Sequence, residues 1–116
     1  MFTLPIKDLY FSNRGDSKKI AFSGEVYDGY FTDIQFLWPL SLSLMLESGE
    51  ECIIVTLLSL SARVQFDGKI HTVHIQKKKK VFRPKTQKET PFTIHMEDYT
   101  IDIAPFIHDV IVLSLS

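Results

Sequence analysis

The sequence predicts an α+β domain: a mostly antiparallel β-sheet with a long central hairpin and a short C-terminal helix. Three observations predict it. Cys52 to Phe66 and Lys69 to Gln76 are β-rich runs joined by Asp67-Gly68, the favoured two-residue type I′ turn. Leu40, Leu42, Leu44 and Leu46 alternate with serines and Met45, the period of a half-buried strand. Near the end, the tail from Tyr99 to Ser114 suggests a helix: Ile103, Phe106, Ile107, Val110 and Ser114 fall on one helical stripe, with Asp102 suited to an N-cap and Pro105 to a first turn. The run Val110-Ile111-Val112-Leu113 has high β propensity, which leaves a strand as the alternative over 106–115.

Before the hairpin, Leu4 to Phe11 reads as a short extended arm, closed by the turn signal Ser12-Asn13-Arg14-Gly15-Asp16. Lys19 to Tyr27 alternates as a strand with Ile20, Phe22 and Val26 facing in, and Asp28-Gly29-Tyr30 is a turn. Ile34 to Leu46 is apolar, but Trp38-Pro39 restricts it to an edge, a bulge or a strand break, because proline cannot donate to a ladder. Glu47-Ser48-Gly49-Glu50 is the next turn.

With Phe66 opposite Lys69, the hairpin register can be written out. One face pairs Val64 with His71, Ala62 with Val73 and Leu60 with Ile75; the other pairs Arg63 with Thr72, Ser61 with His74 and Ser59 with Gln76. The hairpin is therefore apolar on one side and polar on the other near its turn. Further out, Ile53, Val55 and Leu57 make both faces apolar, which calls for a cover over that end. Arg83 to Thr90 reads as a polar loop, Phe92 to His95 as a short strand, and Met96-Glu97-Asp98 as a turn before the helix.

A length of 116 residues fits one domain over 1–116, and the apolar (45%) and charged (23%) fractions are those of a folded globular chain. Cys52 is the single cysteine, so no internal disulfide can form and a reducing compartment is expected. The N-terminus lacks the basic start and apolar run of a signal peptide, and apolar runs fall well short of the roughly 18 residues of a membrane span. The expectation is a soluble, cytoplasmic protein with no membrane partner.

Charge is the most informative feature. The segment from Lys77 to Lys88 holds seven of thirteen basic residues and no acidic ones, leaving six basic against fourteen acidic elsewhere, or −8. Such a concentration marks a place where a polyanion can dock, since each neutralised phosphate releases condensed counterions. Lysine also blunts a sheet edge against pairing with another chain, which is a competing explanation for the run. Phe82, lying among the cations, either stacks on bases or anchors the core at the end of its strand. Arg63 offers a planar donor fork to phosphate or bases, or else bridges a carboxylate of a covering segment.

No catalytic constellation is present: there is no glycine-rich phosphate loop, nucleophile elbow or Cys/His pair at metal-ligand spacing. His71 and His74, three apart on a strand, project to opposite faces and cannot chelate together. The expectation is a non-enzymatic protein without cofactor, metal or small-molecule substrate.

Three landmarks resemble one family. Leu4-Pro5-Ile6 with Lys18 to Tyr27, the strand ending Leu60-Ser61-Ala62-Arg63-Val64-Gln65-Phe66, and Ile101 to Leu115 are similar, in order and spacing, to the YceD family of bacterial and plastid proteins linked to accumulation of large-subunit ribosomal RNA. The middle landmark resembles that family's Cys-x-Arg-Cys strand, and the last its Ile-Asp-Leu…Leu-Leu-Ala-Leu-Pro signature. Ser61 and Val64 stand where the cysteines fall, Arg63 remains, and the family's His- and Cys-containing tail has no counterpart before Ser116. The family's loop corresponding to the basic run is often acidic, so the lysines rest on their own physics. The resemblance implies a YceD-like domain acting in ribosome biogenesis, with ribosomal RNA or a ribosome-assembly protein as partner. Charge then nominates Lys77, Lys78, Lys79, Lys80, Arg83, Lys85, Lys88 and Arg63 as the RNA-binding residues. The alternative is a protein-interaction module that meets a ribosomal or assembly protein without touching RNA.

Overall fold

In the computed structural model, which describes residues 2–27, 29–85 and 90–115, the central hairpin is the longest feature. Strand β1 (Thr3–Pro5) leads into a one-turn helix α1 (Lys7–Tyr10), so the arm expected over 4–11 is half strand and half helix. Strand β2 (Ser17–Gly24) and a 3-10 turn (Gly29–Phe31) follow, then β3 (Ile34–Phe36) and β4 (Leu40–Gly49). Strands β5 (Cys52–Phe66) and β6 (Lys69–Pro84) form the hairpin, followed by β7 (Thr93–Ile94), β8 (Thr100–Asp102) and helix α2 (Ala104–Ser114). The main sheet runs β2-β4-β5-β6-β7, with β3 on β5 beside the end of β4. It is antiparallel except for the β6–β7 contact, and a separate β1–β8 ribbon lies apart from it.

The hairpin register is the one its turn dictates, from Phe66 opposite Lys69 to Ile53 opposite Phe82. Asp67 (φ 52°) and Gly68 (φ 75°) both take the left-handed conformation that a type I′ turn requires. Pro39 breaks the strand as expected: β3 and β4 both pair with β5, and Leu37, Trp38 and Pro39 form the gap between them. All four alternating leucines, Leu40 to Leu46, are buried. The turn after β4 falls two residues late, at Glu50-Glu51, because Gly49 pairs with Cys52.

Two departures come from one irregularity. Ser43 pairs with Ser59 but Leu44 with Leu57, so Leu58 is an extra residue that bulges β5. Opposite it, Lys77 sits at φ 60°, in the left-handed region, as the matching extra residue on β6. The double insertion keeps the register but switches the alternation on both strands. Ile53, Val55 and Leu57 thereby join Leu60, Ala62 and Val64 on the core face, so the doubly apolar run needs no second cover. The strand also continues through the lysines to Pro84, so Arg83 and Pro84 are strand rather than loop; residues 86–89 of the expected loop lie outside the described residues.

The core lies between one sheet face and a layer formed by α1, the β1–β8 ribbon and α2. Phe2, Ile6, Leu9, Ile101, Ile103, Phe106, Ile107 and Ile111 bury against Leu42, Leu44, Val55, Leu57, Val73 and Ile75. Helix α2 settles the alternative over 106–115 in favour of helix; burying Phe106, Ile107, Val110 and Ile111 on one stripe overrides the β propensity of Val110 to Leu113. Ser114 faces solvent rather than completing the stripe, and Thr100–Asp102 is strand rather than helix. His108 Nε2 lies 2.9 Å from both Asp33 carboxylate oxygens and ties α2 to the loop before β3.

Ile103, not Asp102, is the N-cap of α2, because Asp102 still belongs to β8; from one position earlier the Asp102 Oδ1 nonetheless accepts from the Ala104 N–H at 3.0 Å, satisfying an amide that has no partner inside the helix. Asp102→Ala is expected to cost about 1 kcal/mol, and Asp102→Asn much less, in urea denaturation monitored by circular dichroism.

Candidate nucleic-acid interface

The sheet face away from the core is uncovered. It carries, along β6, Thr72, His74, Gln76 and Lys79, all exposed, opposite Arg63, Ser61, Ser59 and Thr56 on β5. Strands β2 and β4 add Lys19, Ala21, Ser23, Ser41 and Ser43, so the face is rich in hydroxyls. Glu47 is the one carboxylate projecting there from the strands of the main sheet, against Lys19, Arg63, Lys79 and Arg83.

The basic run does not lie on one face. Lys79, paired with Thr56, points to the open side; Lys78 and Lys80, paired with Leu57 and Val55, hang from the rim of the core side. Lys77 sits at the bulge. Lys77, Lys78 and Lys79 are exposed, and none of the three has a carboxylate within ion-pair distance among the described residues. Lys80 is half-buried, its Nζ 4.0 Å from the Phe92 ring centroid. Arg83 projects beside Cys52, near Glu47, Glu50 and Glu51, and Lys85 ends the described part of the run. Lys88 lies outside the described residues. Because β7 covers only Arg83 and Pro84, no strand of the described residues borders β6 from Lys69 to Phe82 on the side away from β5. The lysines thus line an open edge and project from it to both sides.

Phe82 is fully buried, 5.8 Å from Phe92 in an edge-to-face pair, so it is a core anchor and cannot stack on a base. His71 and His74 point to opposite faces; His74 Nδ1 meets Ser61 Oγ at 3.1 Å. Among the described residues no three His, Cys, Asp or Glu side chains converge as metal ligands. Cys52 is buried, with its Sγ packed against Gly49, where an added Cβ would lie only 2.5 Å away.

Arg63 has a different partner from either expected one. No carboxylate of the described residues pairs with it; its guanidinium carbon lies 5.2 Å from the Trp38 ring centroid, a cation–π contact. The backbone holds the pair together, since the Leu37 and Trp38 N–H groups both donate to the Arg63 carbonyl at 2.7 and 3.4 Å. Arg63 Nε is buried and without an acceptor. Trp38 remains 51% exposed, and a cleft of about 410 Å³ opens beside it, lined by Tyr27, Phe31 and Phe36 among others. At its rim the Tyr27 hydroxyl donates to the Glu25 carboxylate; that hydrogen bond, and then the carboxylate's charge, raises the phenol above its ordinary value.

Sequence reasoning found Arg63 and the lysines but read Trp38 only as part of a strand break. An exposed tryptophan has no distinguishing sequence signal unless the neighbouring proline is taken to expel it from the ladder. No described helix is long and apolar enough to cross a membrane. The chain matches no protein-family model, no curated protein and no solved structure.

Proposed function

We propose that this protein is a non-enzymatic RNA-binding factor of ribosome biogenesis, acting in the cytoplasm. The observation that carries the reading is the β6 edge: Lys77, Lys78 and Lys79 are exposed and have no carboxylate within ion-pair distance among the described residues, and β6 carries no acidic residue. A phosphate backbone laid along that edge meets ammonium groups from both sides of the sheet, so the split projection of the run does not oppose binding. The resemblance to the YceD family supplies the large-subunit ribosomal RNA. Arg83 and Lys85 extend the contact, while the polar face around Arg63 lies further along the same strand pair.

The second reading, a protein-interaction module, is favoured by the open β6 edge, which offers backbone hydrogen bonds to an added strand. Against it stand the lysine run and the bulge at Lys77, both of which guard an edge from pairing. Salt separates the two. With about four to six phosphates neutralised, affinity for large-subunit ribosomal RNA fragments is expected to fall roughly fifty- to a few hundredfold between about 50 and 200 mM salt. A flat salt profile, or protein partners that survive nuclease treatment in a pull-down, would replace the RNA reading with the protein one.

A further inference from the structure

We infer that Trp38 and Arg63 form a base-stacking subsite, so that the RNA bound is single-stranded or looped. This rests on the RNA reading above and narrows it. Trp38 is the only tryptophan of the chain, and it sits on the surface with half its area exposed, although burying so large a ring would stabilise the core. Its place is set rigidly: Pro39 keeps it out of the ladder, two backbone hydrogen bonds tie the segment to β5, and Arg63 lies against the ring. An indole already backed by a guanidinium presents a flat, pre-ordered surface, at little further cost in side-chain entropy.

The neighbours fit the same ligand. From Trp38 and Arg63 the open face runs through the Ser61–His74 pair and Gln76 to Lys79. Hydrogen-bonding side chains for base edges therefore lie between the stacking end and the ammonium end. At about 3.3 Å per residue along β6, Thr72 to Lys79 spans roughly 20 Å, a length that several unpaired nucleotides cover. A duplex keeps its base faces inside the stack, so only unpaired bases can lie on Trp38.

The single tryptophan makes the test direct. Titration with a short single-stranded RNA, such as oligouridylate or oligoadenylate, is expected to quench Trp38 emission, while a duplex of equal length leaves it unchanged. Trp38→Ala is expected to weaken single-strand binding about tenfold or more, Trp38→Phe to restore most of it, and circular dichroism to show both variants folded. Salt-dependent binding with unaltered Trp38 emission and a wild-type affinity for Trp38→Ala overturns the subsite but leaves the RNA reading standing. Absence of any binding to either RNA overturns both.

Discussion

Replacing Lys77, Lys78, Lys79 and Lys80 together with glutamine is expected to weaken RNA binding roughly a hundredfold at moderate salt. The log–log salt slope should become shallower by about 3, since each single-strand phosphate contact contributes about 0.7. Glutamine keeps the length and polarity of the side chain and removes only the charge. The fold should survive, because three of the four lysines are exposed and none of the four makes an ion pair among the described residues. Lys80 is the exception to watch, as its ammonium covers Phe92; Lys80→Gln alone separates that packing role from the charge. If the fourfold variant binds as wild type with the same slope, the lysines are edge guards and not contacts. Aggregation of that variant without loss of affinity would point the same way.

The second large effect is on stability. Phe82 lies at 0% exposure where the extended hairpin meets β7, packed on Phe92 and paired with Ile53. Phe82→Ala removes most of a buried ring, and the site can collapse only partly, so a loss of about 3–5 kcal/mol is expected in urea denaturation. That is a large share of the roughly 5–15 kcal/mol that holds a domain folded. Phe82→Leu should lose less and leave the folded fraction large enough for binding assays. Its RNA affinity should equal wild type, because the ring has no exposed face to offer a base. A Phe82→Leu protein with normal denaturation and weakened RNA binding would return Phe82 to the interface.

Much of the fold follows from local pattern. Asp67-Gly68 admits one turn geometry, and period-two alternation then sets every pair from Phe66–Lys69 outward. The leucines of β4 and the apolar stripe of α2 were readable for the same reason, as each periodicity repeats within a few residues. The chain also displayed its charge segregation openly, and with it seven of the eight nominated residues, six of which the structure describes.

What could not be read depends on neighbours distant in sequence. The bulge at Leu58 and Lys77 arises from how β4 meets β5, and a run such as Thr56-Leu57-Leu58-Ser59 carries no mark of which residue is extra. Alternation alone would place consecutive lysines on both sides of the edge, but that one insertion decides which face each occupies, sending Lys78 and Lys80 to the core rim and Lys79 to the open side. Likewise, residue type nominated Arg63, but its partner is an aromatic ring 25 positions earlier, brought there by a strand break and two backbone hydrogen bonds. Composition and period thus settled which side chains are charged and which strands pair. Facing and partnership waited on the packed sheet, because alternation is a local property whereas a bulge, a strand break and a stacked ring exist only between strands.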